Sequence, residues 1–325
     1  MSGMAAGELR ENAKRPALSV VVCTRNRPQS VLRAVSSILS GDYPDFDLIV
    51  VDQSDDDWTE YALRPYLNDP RIRLERSATQ GLAAARNIGI GLARSELIAV
   101  TDDDCEAERD WLQELLNAFA VDGRIALVFG NVTPGTHNVA AGFVPSYVRG
   151  EPLLACGIAQ KHQVEGMGAC MGLKRSLWRS LNGFDELLGA GAPLRSGEDT
   201  DFTIRALLAR HCVYETPAAA VVHHGYRSWE EGRGLIEGYM YGLGAALVKQ
   251  IKCGHWTVLG VLCRLAWRWA FGQPVVDLGH RPPRLRRLFA FLRGVAAGGA
   301  TPVDRKTGHY VNRGKRISLF TMDCR

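Results

Sequence analysis

The sequence predicts an α/β protein with a doubly wound, mostly parallel β-sheet and a helical C-terminal extension. Over residues 17–230, short apolar runs rich in β-branched residues alternate with segments of helical periodicity. Several of these apolar runs end in polar or acidic residues. Beyond residue 230, aromatic, leucine and arginine residues are interleaved, which is typical of basic amphipathic helices.

The first half of the chain carries the clearest strand and helix patterns. Residues 17–23 and 46–51 are predicted strands buried on both faces, and residues 30–39 between them have apolar side chains at a helical period. Strands alternating with helices in this way predict a parallel sheet with right-handed crossovers. Further predicted helices lie at 58–67, 82–93, 111–120, 175–181, 200–209 and 235–252, the last with small residues that allow close packing. Further predicted strands lie at 71–75, 96–100, 125–132, 167–172 and 218–223.

The distribution of charge and the spacing of the cysteines limit the classes to which this protein can belong. The formal net charge of +4 hides an asymmetry, because residues 249–325 hold 15 Lys and Arg against 3 Asp and Glu. The eight cysteines are scattered without a C-x-x-C pair, which argues against a zinc module or a disulfide scaffold and favours reduced thiols. Residues 1–15 lack an apolar signal region, and no run of 18 uncharged apolar residues occurs. We therefore expect a cytoplasmic protein.

The run Thr101-Asp102-Asp103-Asp104 follows an apolar strand and is the most informative feature. Three carboxylates at a strand end repel one another unless a positive group lies among them. Mg²⁺ and Mn²⁺ prefer oxygen ligands and often take one or two carboxylates together with substrate phosphates. The alternative is a solvated turn or a helix N-cap, since residues 111–120 are predicted to be helical.

Polar residues also follow the first two predicted strands, at 24–26 and at Asp52. Ligands of open α/β sheets bind beyond the carboxyl ends of the strands. The acidic triplet and these two clusters should therefore meet at one edge of the sheet. That convergence predicts a ligand site better than any one cluster does.

Seven segments of the chain resemble, in the same order, the family-2 inverting glycosyltransferases of the GT-A fold. The resemblance covers roughly residues 18–227 and implies a divalent metal, Mn²⁺ or Mg²⁺, a nucleoside-diphosphate sugar donor and inversion at the anomeric carbon. It divides the chain into a flexible leader (1–16), a GT-A catalytic domain (17–230) and a C-terminal extension (231–325). The matching segments are SVVVCTRNRP (19–28), LIVVDQSDD (48–56), QGLAAARNIGI (80–90), TDDDC (101–105), GFDELLGAG (183–191), GEDTDF (197–202) and VVHHG (221–225).

The resemblance places one group of residues against the nucleotide sugar. Asp52 would contact the base, and the alternative is that it only begins a turn with Ser54. Arg25 stands where the family often has an aromatic residue, so its guanidinium plane would replace a stacked ring. Arg86 and Asn87 would lie beside the nucleotide, on the predicted helix after residue 81. The alternative is that Arg86 only packs on the surface of the sheet. The predicted nucleotide-sugar residues are Thr24, Arg25, Asn26, Asp52, Arg86, Asn87, Asp102 and Asp103.

The same resemblance assigns the metal and the catalytic carboxylates. Asp104 and His223 would bind the metal, and His224 would point to the opposite face of its strand. Asp199 would act as the base that accepts the acceptor hydroxyl proton, with Glu198 beside it. The competing interpretation is that these carboxylates only cap a helix N-terminus, where negative charge is stabilised.

The basic extension has two interpretations. Basic helices with Trp and Phe are typical of attachment to anionic membrane surfaces, which would suit a glycan or lipid-linked acceptor at the inner face of the plasma membrane. The alternative is packing on the catalytic domain or in a homodimer. We expect no nucleic-acid partner, because no recognised binding module is present.

Sugar transfer would build a cell-surface glycan, a glycolipid or a glycosylated metabolite, and two other functions are alternatives to it. A nucleotidyltransferase acting on a sugar phosphate also needs clustered carboxylates, but the glycine-rich loop expected after the first strand is missing. A non-catalytic binding protein with this fold would not need Asp104, Asp199 and His223, which are all present. The donor is predicted to be a UDP-, dTDP- or GDP-sugar.

Overall fold

The computed structural model describes residues 16–271 and 284–312, and a mixed nine-stranded sheet lies at its centre. The strands of this sheet are β1 (Leu18–Thr24), β2 (Phe46–Asp52), β3 (Ile72–Arg76), β4 (Leu97–Asp102), β5 (Cys105–Ala107), β6 (Ile125–Pro134), β8 (Leu153–Ala155), β9 (Cys170–Lys174) and β10 (Cys212–His223). Short two-residue strands form two small extra sheets: β7 (Gly142–Phe143) with β11 (Arg227–Ser228), and β12 (Val303–Asp304) with β13 (His309–Tyr310).

Helices cover both faces of the sheet. They are α1 (Pro28–Leu39), α2 (Trp58–Leu63), α3 (Leu82–Leu92), α4 (Trp111–Ala120), α5 (Arg175–Ser180), α6 (Glu198–Leu208), α7 (Trp229–Lys252), α8 (Val258–Phe271) and α9 (Arg284–Ala300), with a 3₁₀ helix at Ile158–Gln163. One core contains Val20 and Val22 with residues of α1 and α4, and a second contains Val21 with residues of α3 and α6. Alternate side chains of β1 thus enter opposite cores, as expected for a strand buried on both faces.

The N-terminal half of the sheet is parallel, in the order β3-β2-β1-β4. Thr24 is in register with Asp52 on one side, and Cys23 is in register with Asp102 on the other. The carboxyl ends of β1, β2 and β4 therefore lie level at one edge. This confirms the parallel, doubly wound arrangement predicted from the alternation of strands and helices.

The other half of the sheet is mixed, because β9 runs antiparallel between β4 and β6. The expected strand at 218–223 is the end of the twelve-residue β10, which pairs in parallel with β6. The short β5, which the sequence analysis did not predict, pairs antiparallel with the end of β10 and sets Cys105 opposite His223. The chain that leaves the acidic triplet is thereby held against the histidine.

One expectation about cysteines is wrong. Cys156 and Cys212 form a disulfide, whereas all thiols were expected to be reduced. Ala155 of β8 and Val213 of β10 are an antiparallel pair. Cys156, which follows Ala155, therefore lies opposite Cys212, which precedes Val213. A contact between positions 56 residues apart in sequence gives no signal in the cysteine spacing. The five other described cysteines are free thiols, and Cys324 lies outside the described residues.

The helix expected at 235–252 begins earlier, at Trp229, because Ser228 and Glu231 form a reciprocal capping box. Its small residues allow close packing, as the sequence predicted. A Cβ on Gly244 would collide with the Phe291 carbonyl of α9, and one on Gly242 would collide with Ser196. Residues 1–15 of the predicted leader 1–16 lie outside the described residues, so the predicted division at residues 16 and 230 stays a prediction. Within 16–271 and 284–312, every helix is too short or too polar to cross a lipid bilayer.

A buried ionic cluster joins α7 to the sheet domain. Lys249 is fully buried, and its ammonium contacts Asp185 at 2.6 Å and Asp201 at 2.8 Å. Arg205 pairs with Asp201 at 2.8 Å along α6, where positions i and i+4 are neighbours on one helix face. The Tyr310 backbone N–H also donates to Asp185. Buried ion pairs and hydrogen bonds therefore hold α6, α7 and strand β13 together.

We predict that Lys249→Met lowers the free energy of unfolding by about 3–5 kcal/mol, because it leaves two buried carboxylates without their shared cation. Lys306→Met is the matched control, since Lys306 is exposed, and it should change stability by less than about 0.5 kcal/mol. Urea unfolding followed by circular dichroism measures both. Equal stability of the two variants would contradict the importance of the cluster.

Candidate active site

Asp104 and His223 form one corner at the carboxyl edge of the sheet. Asp104 Oδ1 lies 3.2 Å from His223 Nε2, while His223 Nδ1 hydrogen-bonds the Pro145 carbonyl at 2.6 Å. Histidines that bind metals commonly use one ring nitrogen for the ion and bond the other to a carbonyl or carboxylate. The corner is lined by Gly225, where a Cβ would lie 2.5 Å from His223 Nε2 and 2.7 Å from Asp104 Oδ2. These two side chains fit a divalent cation.

Two neighbours of this corner are poor metal ligands. Cys105 completes the one group of three potential ligand side chains among the described residues, but burial raises the pKa of its thiol far above its usual value. A protonated thiol does not suit Mg²⁺ or Mn²⁺. His224 turns away, as predicted, and its Nε2 lies 3.1 Å from Glu106.

Arg27 and Thr24 accompany the second and third carboxylates of the triplet. Thr24 donates to Asp103 at 2.7 Å, and Arg27 contacts Asp103 at 3.2 Å and Asp104 at 3.3 Å. Burial raises the pKa of Asp103 to about 6, against the lowering effect of the Thr24 hydrogen bond. For Asp104, the His223 hydrogen bond and nearby positive charges outweigh burial and lower the pKa. Thr24 thus bonds to Asp103, and Asp103 also bonds to Arg27, within the protein. The contacts of Thr24 and Asp103 with a nucleotide stay predictions.

Arg86 connects the acidic triplet to the start of α6. Its guanidinium donates to Asp102 at 3.0 Å and to Glu198 at 2.9 Å, and only 1% of its surface is exposed. The two carboxylates raise its pKa despite burial, so it stays charged. A Cβ on Gly168 would lie 2.8 Å from both terminal nitrogens, so the backbone there closes over the guanidinium. The alternative of a surface arginine is wrong, because Arg86 is buried between the two carboxylates.

Glu198 and Asp199 begin α6 and differ in environment. Burial, followed by the charge of Asp199, raises the pKa of Glu198 to about 7, against the opposing effect of Arg86. Asp199 is partly exposed and accepts from the backbone N–H of Thr200 at 2.6 Å and of Gly168 at 3.2 Å. Glu198 is thus held by Arg86, while Asp199 remains accessible from solvent.

Asp52 is placed for a further polar partner. Its Oδ1 accepts from the Ser54 backbone at 3.0 Å and from Thr59 at 3.3 Å, so the turn foreseen as an alternative does form. Its Oδ2 is buried and has no hydrogen-bond partner. Nearby, Asn26 adopts a left-handed backbone with φ of 55° and donates its N–H to Ser54. Arg25 lies 3.5 Å from Asp55 and is partly exposed, which leaves its plane accessible.

Asn87 has a different position from the one expected. Its amide donates to the Phe184 carbonyl at 2.9 Å and to Glu186 at 3.1 Å, and its oxygen accepts from Trp178 and from the Phe184 N–H. The side chain therefore fixes the loop before α6 instead of facing the carboxylates. Its predicted nucleotide contact finds no support in these bonds.

The structure brings the other predicted residues to one edge. Contacts run from His223 to Asp104, and from Asp102 through Arg86 to Glu198. Sequence reasoning missed Arg27, although its position three residues after the first strand was a usable signal.

Comparison with known proteins identifies this arrangement. Residues 19–179 match the model of glycosyl transferase family 2. This match places residues 19–179 in glycosyl transferase family 2. The putative colanic acid biosynthesis glycosyl transferase WcaA of Escherichia coli K12 is 37% identical over 108 residues, which cover 32% of this chain and 37% of that relative. The chain thus aligns with little more than a third of WcaA.

Solved glycosyltransferase structures share the fold. The mannosyltransferase PcManGT from Pyrobaculum calidifontis, in complex with GDP-Man and Mn²⁺, has a TM-score of 0.59 at 16% identity and covers 89% of this chain and 88% of its own. S. aureus TarS 1-349 in complex with UDP-GlcNAc has a TM-score of 0.56 at 17% identity, covering 86% and 81%. The predicted GT-A fold of this chain is therefore confirmed.

We predict that Gly225→Ala weakens Mn²⁺ binding about 10-fold or more, because the added methyl group enters the corner between Asp104 and His223. The measurement is titration of free Mn²⁺ by electron paramagnetic resonance. Gly123→Ala is the control, since a Cβ there meets no atom within 4 Å. Unchanged Mn²⁺ affinity in Gly225→Ala would remove this corner as the metal site.

Proposed function

We propose that this protein transfers a sugar from a nucleoside-diphosphate sugar to a hydroxyl group of an acceptor, with inversion at the anomeric carbon. The observation that carries the proposal is the joining of Asp102 and Glu198 by the buried Arg86. It brings the end of β4, where a diphosphate would lie, next to the first turn of α6, which offers a partly exposed carboxylate. Donor and acceptor groups would thus meet at one edge of the sheet.

Asp52 supports binding of the nucleoside. A buried carboxylate oxygen without a partner is unfavourable, and a base N–H or ribose hydroxyl would satisfy it. Uracil, thymine and guanine all present such an N–H group, which agrees with a UDP-, dTDP- or GDP-sugar. The complexes of PcManGT with GDP-Man and of TarS with UDP-GlcNAc support donors of this class.

Asp104 and His223 would hold Mn²⁺ or Mg²⁺, and the Mn²⁺ in the PcManGT complex supports this assignment. When bound, the cation supplies Lewis-acid neutralisation of the departing diphosphate. Arg27, which already contacts two carboxylates of the triplet, adds positive charge on the same side. Asp102 is held in place by Arg86 and stays available at its other oxygen for the donor.

Asp199 is the proposed base. As the acceptor oxygen attacks the anomeric carbon, its proton moves to Asp199, and the bond from that carbon to the diphosphate oxygen breaks on the opposite face. Two backbone N–H groups fix the orientation of the Asp199 carboxylate while its partial exposure leaves room for an acceptor. Glu198 is committed to Arg86, so it serves to position this turn.

The acceptor class and the location of the protein extend the proposal. The similarity to WcaA, a putative colanic acid biosynthesis glycosyl transferase, supports a role in polysaccharide biosynthesis, with a glycan or lipid-linked acceptor. We propose a cytoplasmic location, peripheral on the inner face of the plasma membrane. Because a disulfide such as Cys156–Cys212 is unusual in a reducing compartment, the oxidation state of these two cysteines in cells tests this location.

We predict that UDP, GDP or dTDP raises the thermal unfolding temperature in the presence of Mn²⁺, by the equivalent of about 2.7 kcal/mol at a ligand concentration 100 times the dissociation constant. Asp52→Asn should reduce the shift for the preferred nucleotide, because an amide replaces the accepting oxygen. Asp45→Asn, an exposed change beyond the opposite end of the same strand, should leave the shift intact. No shift with any of the three nucleotides would contradict the donor class.

We predict that Asp199→Asn lowers kcat about 10²–10⁴-fold and leaves the nucleotide-induced thermal shift unchanged, because only the proton acceptor is lost. Transfer and donor hydrolysis are measured as release of nucleoside diphosphate from a panel of nucleotide sugars. Asp110→Asn, an exposed carboxylate before α4, is the control and should keep full activity. Full activity of Asp199→Asn would remove it as the base, and release of pyrophosphate by the unaltered protein would favour a nucleotidyltransferase.

A further inference from the structure

Helix α9 has one face committed to the protein. The side of α9 that packs on α7 carries Ala290, Phe291, Gly294 and Gly298, all buried. Close contact depends on the glycines, since a Cβ on Gly294 would collide with the Tyr241 carbonyl. This face of α9 is therefore covered by α7, which lies almost entirely within the C-terminal extension itself.

The opposite face of α9 is apolar and exposed. Leu285, Leu288, Phe289 and Leu292 are spaced at i, i+3, i+4 and i+7, so they form one stripe along the helix. Their exposed fractions are 79%, 48%, 65% and 52%. Single exposed apolar residues are ordinary, whereas four in a continuous stripe indicate a surface that meets a partner.

Positive charge borders this stripe on both sides. On the helical period, Arg284 lies along one margin and Arg286 with Arg293 along the other, and all three are exposed. No Asp or Glu occurs within Arg284–Ala300, so the helix carries four arginines without a compensating acid. An apolar stripe between arginines is complementary to a surface that offers acyl chains beneath anionic headgroups.

We propose that the outward face of α9, defined by Leu285, Leu288, Phe289 and Leu292 and flanked by three arginines, binds the surface of an anionic lipid membrane. The four apolar side chains enter the boundary between headgroups and acyl chains, and the arginines contact lipid phosphates. The buried face remains on α7, so binding needs no unfolding of the helix. This inference concerns a surface away from the carboxylates.

One consequence of membrane binding rests on the proposed function. α9 packs on α7, whose Lys249 is paired with Asp201, two residues after the proposed base. Binding through α9 would hold the active site close to the bilayer. An acceptor anchored in that bilayer would then be present at a high effective concentration.

The test is sedimentation of the full chain with vesicles of phosphatidylcholine alone or containing phosphatidylglycerol. Binding to the anionic vesicles should weaken as salt rises, because exposed charges are screened. Arg284→Gln, Arg286→Gln and Arg293→Gln together should lower the partition coefficient about 100-fold, at roughly one headgroup contact per arginine. The matched control replaces the exposed Arg33, Arg64 and Arg109 by Gln and should bind like the unaltered protein.

The apolar stripe is tested separately with Leu288→Gln and Phe289→Gln, against Val121→Gln, an exposed apolar residue elsewhere. The pair should lose vesicle binding and keep both the thermal unfolding temperature and nucleotide-sugar hydrolysis. Hydrolysis thus reports on the proposed function independently of the lipid.

Three results would overturn the proposal. The first is failure of the unaltered protein to bind anionic vesicles at low salt. The second is a lowered unfolding temperature in the pair Leu288→Gln and Phe289→Gln, because it would mean that protein covers the stripe. The third is a dimer that becomes a monomer in this pair, which would assign the stripe to a second copy of the chain.

Discussion

The buried guanidinium of Arg86 is the interaction on which the site depends. Asp102, Glu198 and Asp199 come from two segments almost a hundred residues apart, and without a cation between them their charges would drive β4 and α6 apart. Arginine suits this place because it remains charged when buried and its two terminal nitrogens can serve two carboxylates at once. Gly168 is needed above it, since any Cβ there would press on the guanidinium. The site is thus assembled by one cation that itself lies out of contact with water.

A second buried cation extends this constraint to the C-terminal helices. Lys249 pairs with Asp201 in the first turn of α6, directly after the carboxylates that Arg86 positions. Asp201 also accepts from Gln250 and Arg205, so the helix that begins with Glu198 is fixed from both sides. The basic extension is therefore part of what keeps the acidic edge in place. Its buried Lys249 stabilises the start of α6, whereas its exposed arginines lie on the surface of α9.

Much of the fold and part of the site were accessible from the sequence. Local alternation of strands and helices specifies β1 to β4, and parallel strands necessarily bring Thr24, Asp52 and Asp102 to one edge. The nearness of Asp104 to His223 came from resemblance to a family, because it depends on β5 pairing with β10 across more than a hundred residues. The disulfide and the Arg86 bridge depend on the same kind of distant pairing. Such contacts leave no periodic pattern in the local sequence. The disulfide and the pairing of Arg86 with two carboxylates were therefore not predicted.

Asn87 shows that a matched motif locates a residue in the fold more reliably than it identifies what the side chain contacts. It stands beside Arg86 in a matched segment, and both were expected near the nucleotide. On a helix, however, consecutive residues differ in direction by about 100°. Arg86 consequently enters the carboxylate cluster, while Asn87 turns to the loop at Phe184 and makes three hydrogen bonds to it and one to Trp178 of α5. The same segment thus supplies the charge that assembles the site and the amide that fixes the loop leading into α6, and both serve to hold Asp199 where an acceptor can reach it.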